Sequence, residues 1–278
     1  MTRGVWFMLM ATFFFSLMNV MVKLIPHIPA IEIVFFRSVI SIVLSLSFLL
    51  PQKVNIWGSN KKYLILRGVS GAIALILYFT LIQSVPLASA VTILFLQPIL
   101  TNVIGIFIVK EKVHPLQWLF YLLSFSGILI VQGFDTRIDP VYLFIGIGAS
   151  IFSGLAFNFI RKLKTSEHPL VIIFYFPLIT MPVTGVISTM NWVAPKGTDW
   201  LFLLLVGVLT QIAQYFMTRS YQAEEINKVV GLRYLSIVFA LFFGWFMFDE
   251  NYNWIAYVGM GVAVLGVILN LWFKKRVE

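Results

Sequence analysis

Ten apolar blocks, each about as long as a bilayer is thick, occupy most of this 278-residue chain and restrict what it can fold into. A helix needs about 20 apolar residues to cross the hydrocarbon core, so ten such helices leave about eight residues for each connection. The sequence therefore predicts an all-α polytopic membrane protein with no separate soluble domain. The predicted spans are residues 4–22, 31–50, 64–83, 89–109, 116–133, 141–160, 169–189, 201–221, 228–248 and 254–273.

The distribution of Lys and Arg predicts the orientation of these spans, because cytoplasmic connections retain basic residues. The opposite side of the membrane has only Lys23, Arg137 and Lys196, while Arg37 and Arg233 fall inside spans. The side that holds the N-terminus has the other fifteen of the 20: Arg3, Lys53, Lys61, Lys62, Arg67, Lys110, Lys112, Arg161, Lys162, Lys164, Arg219, Lys228, Lys274, Lys275 and Arg276. We therefore expect a protein of the plasma (inner) membrane with both termini in the cytoplasm.

The net charge of +9 has the same explanation, so it does not indicate nucleic acid. Only 11% of the residues are charged, against about a quarter in a soluble domain, so most of the surface must face lipid. The expected partners are the lipid bilayer and a small-molecule substrate, with no nucleic acid, and the sequence specifies no oligomeric state.

An internal repeat divides the chain into residues 1–137 and 138–278. Sliding the sequence by 139 residues without gaps aligns several polar and glycine positions, among them Asn19 with Asn158 and Glu111 with Glu250. Each copy holds five predicted spans, and an odd number makes the second copy enter the membrane from the other side. The prediction is therefore ten transmembrane helices in two inverted five-helix repeats, an architecture typical of secondary transporters.

Several motifs resemble the EamA-like family of the drug/metabolite transporter superfamily, over nearly the whole chain. The second copy departs from the pattern, because Phe176-Pro177 replaces the Arg of span 2 and Ser236-Ile237 replaces the Pro of span 4. The resemblance implies a ten-helix fold whose central cavity is lined mainly by spans 3, 4, 8 and 9 and which moves small metabolites by alternating access. It rests on Phe36-Arg37, Gly68, Tyr78-Phe79, Pro86, Ala88, Ala90, Gln97-Pro98, Glu111-Lys112, Gly127, Gly207, Tyr221-Gln222-Ala223, Asp249-Glu250 and Gly266.

Polar residues within the spans are the candidates for substrate binding. An Arg near a span centre costs about 2.5 to 3.5 kcal/mol, so Arg233 either reaches the headgroups or binds an anionic substrate group. Arg233 and Ser236 share one predicted face of span 9, and the glutamines of span 8 recur at helical spacing. The predicted substrate-binding residues are Tyr78, Gln97, Thr101, Gln211, Gln214, Tyr215, Arg233 and Ser236.

A second group of residues is expected to act in gating or in the architecture. Asn19 with Lys23 and Asn158 with Lys162 form i, i+4 pairs at opposite membrane faces, as symmetric gates would, although snorkelling Lys is the alternative. Pro98 predicts a local break in span 4. Arg37 and Glu32 are poorly placed to pair on one helix, so a structural or gating role is favoured for Arg37. The predicted set is Asn19, Lys23, Arg37, Pro98, Glu111, Asn158, Lys162 and Glu250.

The leading hypothesis is a secondary transporter of a small polar organic metabolite, with amino acid-like or other carboxylate-bearing compounds favoured. The alternatives are a channel-like pore and a transporter of nucleobases or nucleosides. The three His residues lack metal-ligand spacing, there is no Cys, and no catalytic set of residues is present, so we expect no metal site, no cofactor and no enzymatic activity. A carboxylate is missing from every span centre, which favours a facilitator or exchanger over proton coupling.

Overall fold

The structure is a computed structural model that describes residues 2–84, 93–132, 140–248 and 254–277, and all regular secondary structure in these ranges is helical. Short 3-10 segments cover Thr189–Asn191 and Val230–Leu235. Glu250 lies outside the described residues. The helices are α1 (Arg3–Lys23), α2 (Ala30–Leu49), α3 (Lys61–Ser84), α4 (Gln97–Ile108), α5 (Pro115–Gln132), α6 (Pro140–Lys162), α7 (Pro169–Ser188), α8 (Asp199–Ala223), α9 (Ile226–Val229), α10 (Ser236–Phe248) and α11 (Trp254–Val277).

Length and composition allow five of the described helices to cross a membrane, namely α1, α2, α6, α7 with its 3-10 extension, and α8. Gln97–Ile108 and Tyr257–Asn270 are shorter apolar helices. Many large apolar side chains, such as Phe107, Phe144 and Phe246, point outward and are more than two-thirds exposed. A surface of this kind is expected of helices that face lipid instead of water. The protein is therefore a multi-pass integral membrane protein.

The helix boundaries repeat along the chain. Helices α2 and α7 begin and end 139 residues apart, and the same offset separates the first residues of α4 and α10 and those of α5 and α11. The packing shows the same equivalence between the halves. Helix α1 of the first half packs on α8 of the second, and the equivalent helix α6 of the second half packs on α3 of the first. The pairs α2 with α7 and α5 with α11 join equivalent helices. Each half therefore contributes equivalent helices to every major interface.

Helices α5 and α11 approach each other closely through glycine. A Cβ atom on Gly127 would lie 2.4 Å from the backbone nitrogen of Ala263, and one on Gly266 would lie 2.3 Å from Ser124 Oγ. Gly127 and Gly266 are 139 residues apart, so the two halves use the same device. Small residues permit such close helix packing inside a membrane, where apolar burial alone does not drive association.

The predicted span 9, residues 228–248, is wrong as one continuous α-helix. The chain forms α9, then the 3-10 segment Val230–Leu235, then α10. In an α-helix the carbonyl of Asn227 would accept the N–H four residues later. Here that carbonyl accepts hydrogen bonds from the Tyr121 hydroxyl and from the Asn270 side-chain amide, the latter at 3.3 Å. These contacts from α5 and α11 account for the interruption of the helix.

Candidate functional site

Arg233 lies in the 3-10 segment, with its guanidinium over an aromatic ring. Its Cζ atom is 4.7 Å from the centroid of Phe157 on α6. The ring of Tyr221 on α8 stacks on the same phenyl ring, with centroids 5.1 Å apart and planes at 27°. Among the described residues, the buried Arg233 Nη1 and Tyr221 Oη atoms have no hydrogen-bond partner. Arg233, Phe157 and Tyr221 therefore form a cluster, here called the Arg233 cluster, with unused donors.

A second cluster joins α2, α3 and α7 and is called the Phe176 cluster. Its members are Arg37, Arg67 and Phe176, and all three side chains are buried. The Cζ atoms of Arg67 and Arg37 lie 4.9 Å and 5.7 Å from the centroid of Phe176. Gly71 makes room for this arrangement, since a Cβ there would lie 2.3 Å from Arg67 Nη1 and 2.8 Å from the phenyl ring. One ring therefore holds two cations.

Helix α8 contacts both clusters. Arg67 Nη2 of the Phe176 cluster donates to Gln214 Oε1 on α8 at 3.4 Å. Tyr221 of the Arg233 cluster lies seven residues, or about two turns, further along the same face of α8. Tyr78 is half-buried and lies eleven residues beyond Arg67 on the same face of α3. The two clusters are therefore about 10 Å apart along α8.

No ion pair with a carboxylate is made by Arg37, Arg67 or Arg233 within the described part of the chain. Glu32, five residues before Arg37, accepts instead the N–H of Val193 at 3.0 Å. Taking a cation out of water costs several kcal/mol, whereas a desolvated cation–π contact returns about 2 kcal/mol. The aromatic rings therefore offset only part of the cost, and the arrangement is suited to an anionic ligand.

Arg67 refines the sequence interpretation, which includes it in the span 64–83 but counts it with the basic residues of the cytoplasmic side. The structure buries it two turns into α3, where Arg67 Nη2 donates to Gln214 Oε1 on α8 at 3.4 Å. A signal was present in the sequence, because Arg67, Gly71, Ala74 and Tyr78 recur at spacings that place them on one helix face. Counting basic residues on each side of the membrane could not show that the Arg67 side chain turns into the bundle.

The predicted polar face of α8 serves two purposes. Gln214 contacts Arg67 and so belongs beside the Phe176 cluster. Gln211 accepts from the Ser41 hydroxyl and donates to Ser45 Oγ at 2.8 Å, so its amide joins α8 to α2. Tyr215 is half-buried, with its ring 5.9 Å from that of Phe216.

The other predicted site residues of spans 4 and 9 lie within the first two turns of α4 and α10. Phe95-Leu96 form a turn and α4 begins at Gln97, so Pro98 lies where its missing N–H costs nothing, and the chain breaks where the sequence predicts it. Gln97 is half-buried, while Thr101 is buried and donates to the Gln97 carbonyl at 2.6 Å. Ser236 opens α10 and is half-buried.

An ion pair joins several elements at one end of the bundle. We call this the terminal end, since Ser220 donates there to the carbonyl of Gly4 and His114 contacts Phe273. Glu111 Oε1 accepts from Arg161 Nε at 2.7 Å, and Glu111 Oε2 accepts the N–H of Ile226 at 2.7 Å. The Glu111 carboxylate therefore ties α6 and the start of α9 to the segment that follows α4.

Arg161 Nη1 extends this network, since it also donates to the carbonyls of Tyr221 and Gln222. A cavity of about 640 Å³ beside the ion pair is lined by residues that include Glu111, Arg161 and Lys162. The exposed Lys162 donates from Nζ to the carbonyl of Ile108 at 3.5 Å.

The two predicted gate asparagines differ in burial. Asn158 on α6 is fully buried and donates to the carbonyls of Thr101 and Gly154, each at 2.9 Å. Its repeat equivalent Asn19 on α1 is exposed, as is Lys23. The helices follow the same difference, because α4 packs along α6 over a long contact and α10 touches α1 at few positions. The α4–α6 interface and its equivalent, the α10–α1 interface, are therefore packed differently.

Comparisons with known proteins agree with this architecture. The EamA-like transporter family matches residues 2–132 and again residues 140–272. A Pseudomonas aeruginosa protein named pseudopaline exporter CntI is 30% identical over 276 residues, which covers 98% of this chain and 97% of that protein. Human solute carrier family 35 member G1 is 27% identical and covers 98% of this chain and 80% of its own length.

A more distant relative, the S-adenosylmethionine uptake transporter of Rickettsia prowazekii, is 22% identical over 89% of this chain and 85% of its own length. A crystal structure of another protein matches the fold with a TM-score of 0.87 over 99% of this chain and 98% of that one, at 15% identity. The named relatives are transporters and not enzymes. The chain belongs to the EamA-like transporter family and is a small-molecule transporter of the drug/metabolite transporter superfamily.

Proposed function

We propose that the protein is a secondary carrier of a small polar organic metabolite that bears a carboxylate. The observation that carries this proposal is the Arg233 cluster. Its guanidinium lies over Phe157 without a carboxylate partner among the described residues, and Arg233 Nη1 and Tyr221 Oη are buried without hydrogen bonds. A carboxylate would supply the missing charge and accept from both groups, and such charge-assisted bonds are roughly twice as strong as neutral ones.

Alternating access is the proposed mechanism, and the unequal burial of the gate asparagines supports it. In the present state Asn158 bonds to the carbonyl of Thr101 at 2.9 Å and α4 packs along α6. If the two halves exchanged conformations, Asn19 would donate to the carbonyl of Ala240, as Asn158 now donates to the carbonyl of Thr101. We propose that the terminal end is closed in this structure and that the second state closes the opposite end with this equivalent contact.

The proposed topology has two inverted five-helix repeats, with both termini in the cytoplasm and the chain in the plasma (inner) membrane. The repeated helix boundaries support the repeat, and the excess of basic residues on the side that holds the N-terminus supports the orientation. The terminal end is then the cytoplasmic end. A facilitator or exchanger suits this arrangement because the carboxylates that the structure describes, Glu32 and Glu111 among them, lie near helix ends.

Counterflow into proteoliposomes tests the carrier proposal. Vesicles preloaded with one unlabelled compound from a panel of amino acids, carboxylates, nucleosides and nucleobases receive a trace of the labelled compound outside. A carrier predicts transient, saturable accumulation that requires the internal compound, for at least one carboxylate-bearing member. Electrical leak without counterflow would contradict the carrier and favour the channel-like pore, whereas counterflow of nucleosides alone would contradict the carboxylate.

A further inference from the structure

The proposed function uses one cation, Arg233, and leaves the Phe176 cluster without a role. Arg37 and Arg67 are 6% and 2% exposed, and both guanidiniums lie on the same phenyl ring. Two like charges are therefore close together. Within the described ranges neither is paired with a carboxylate, and Arg67 Nε has no hydrogen-bond partner.

A purely architectural role explains this cluster poorly. Two like charges on one ring repel each other, and the ring offsets only part of the cost of burying them. A Cβ on Gly71 would lie 2.3 Å from Arg67 Nη1, so the guanidinium fills the space that the glycine leaves. Its neutral neighbour Gln214 contributes only a carbonyl oxygen at 3.4 Å. The missing component is a negative charge.

The two clusters lie near each other, because Arg67 contacts Gln214 and the Phe157 ring stacks on Tyr221, about two turns further along the same face of α8. We propose that the substrate is an organic anion with at least two acid groups, one bound by Arg233 over Phe157 and a second bound by Arg37 and Arg67 over Phe176. This inference rests on the proposed function and deepens it. It also gives Arg37 a role in binding instead of the gating or structural role expected from the sequence.

Matched pairs of probes test the second acid group directly. Succinate, glutarate and adipate differ in the separation of their carboxylates, and the monoamide of each has nearly the same shape with one charge fewer. Binding is measured as the rise in unfolding temperature of the purified full-length protein at constant ionic strength, since a ligand that binds only the folded state stabilises it. We expect at least one diacid to bind roughly 30-fold more tightly than its monoamide.

Substitutions of Arg67 and Gly71 test whether the Phe176 cluster binds the second acid group. Arg67→Gln should weaken binding of the diacid by roughly 30-fold and leave binding of the monoamide unchanged. The control is Arg219→Gln, which removes the same charge from an exposed Arg that lies over the Phe7 ring at 5.7 Å. If Arg67→Gln does not fold, Gly71→Ala keeps every charge while its methyl group displaces the Arg67 guanidinium, and it should abolish the preference for the diacid.

Three outcomes would overturn the inference: equal binding of diacid and monoamide, no binding of any diacid at millimolar concentration, or an unchanged preference in both Arg67→Gln and Gly71→Ala. Counterflow in the same protein separates these failures from failure of the carrier. Counterflow of a monocarboxylate with no preference for diacids would leave the proposed function standing without its second acid site. Loss of all counterflow, with electrical leak, would remove both.

Discussion

Arg37 and Phe176 occupy equivalent positions of the two repeats and contact each other, with Arg37 Cζ 5.7 Å from the phenyl centroid. This follows from the packing of α2 against its equivalent helix α7. Because these equivalent helices pack on each other, equivalent residues of the two halves meet at their interface. If both positions held Arg, two guanidiniums would face each other there. Phe176 instead supplies the ring that Arg67 also contacts.

Replacing Phe176 with Leu should destabilise the protein by about 2 kcal/mol more than the same change at Phe174, because only Phe176 contacts two cations. Phe174 is an equally buried residue of the same helix, so it controls for the lost apolar surface. Chemical unfolding in detergent measures both values. Equal losses for the two variants would show that the cation contacts do not contribute.

Arg233→Ala should abolish transport of the carboxylate-bearing substrate, a loss of at least roughly 30-fold in kcat/KM, while the protein still folds. The physical reason is the loss of the charge that the Arg233 cluster offers to the substrate. Initial rates of counterflow and the elution profile of the purified variant give the two measurements. Unchanged kinetics in a folded variant would refute the assignment of Arg233 to the site.

Glu111→Gln should open the terminal end and expose Arg161 to solvent, because it removes the charge that holds the guanidinium at 2.7 Å. The chain has no Cys, so a single Val22→Cys substitution, near the opposite end of α1, provides a labelling site. If the two ends alternate, Glu111→Gln should slow labelling of that cysteine by a membrane-impermeant maleimide. Equal labelling rates with Glu111 and with Gln would argue against coupled ends.

Gly127→Ala should destabilise the bundle by about 1 to 3 kcal/mol, because the new methyl group would meet backbone atoms of α11 that cannot move aside. Gly261→Ala is the matched control, since a Cβ there has open space within 4 Å. That control should be neutral or slightly stabilising, as Ala is a better helix former than Gly. The two midpoints of unfolding decide between close packing and a simple preference for Ala.

Stability should fall on acidification through His168, which precedes α7. Burial and the charge of Arg219 lower the pKa of His168, and its Nδ1 accepts the N–H of Leu170 at 3.3 Å. A lowered pKa in the folded state means that this contribution is present above the unfolded value of about 6.5 and is lost as the pH falls through the folded value.

His168→Asn keeps a capping acceptor and removes the titration, so the unfolding temperature of the variant should change less between about pH 7.5 and 5.5. The same slope in both proteins would contradict a role for this histidine.

The sequence predicts the helical fold well because bilayer thickness and the 139-residue offset each act on the whole chain. It predicts Arg233 and Tyr78 as members of the site for a local reason, since a polar residue in an apolar block needs a partner. It could not show that the carbonyl of Asn227 accepts a hydrogen bond from the Tyr121 hydroxyl, and so it missed the 3-10 segment. It also missed Arg67 and Phe157, because one lies near a helix end and the other is an ordinary apolar residue until an Arg lies over it.

The Glu111–Arg161 pair also bears on how the two proposed conformations would respond to ionic strength. Arg161 corresponds to Val22 in the first repeat, so the ion pair of the terminal end has no counterpart with Arg at the other end. Salt weakens this ion pair, whose side chains are 10% and 11% exposed, less than it would an exposed pair, and it leaves apolar contacts unaffected or stronger. If this ion pair helps to close the terminal end and no such pair closes the opposite end, the ratio of the two states should change with ionic strength, even with no substrate bound.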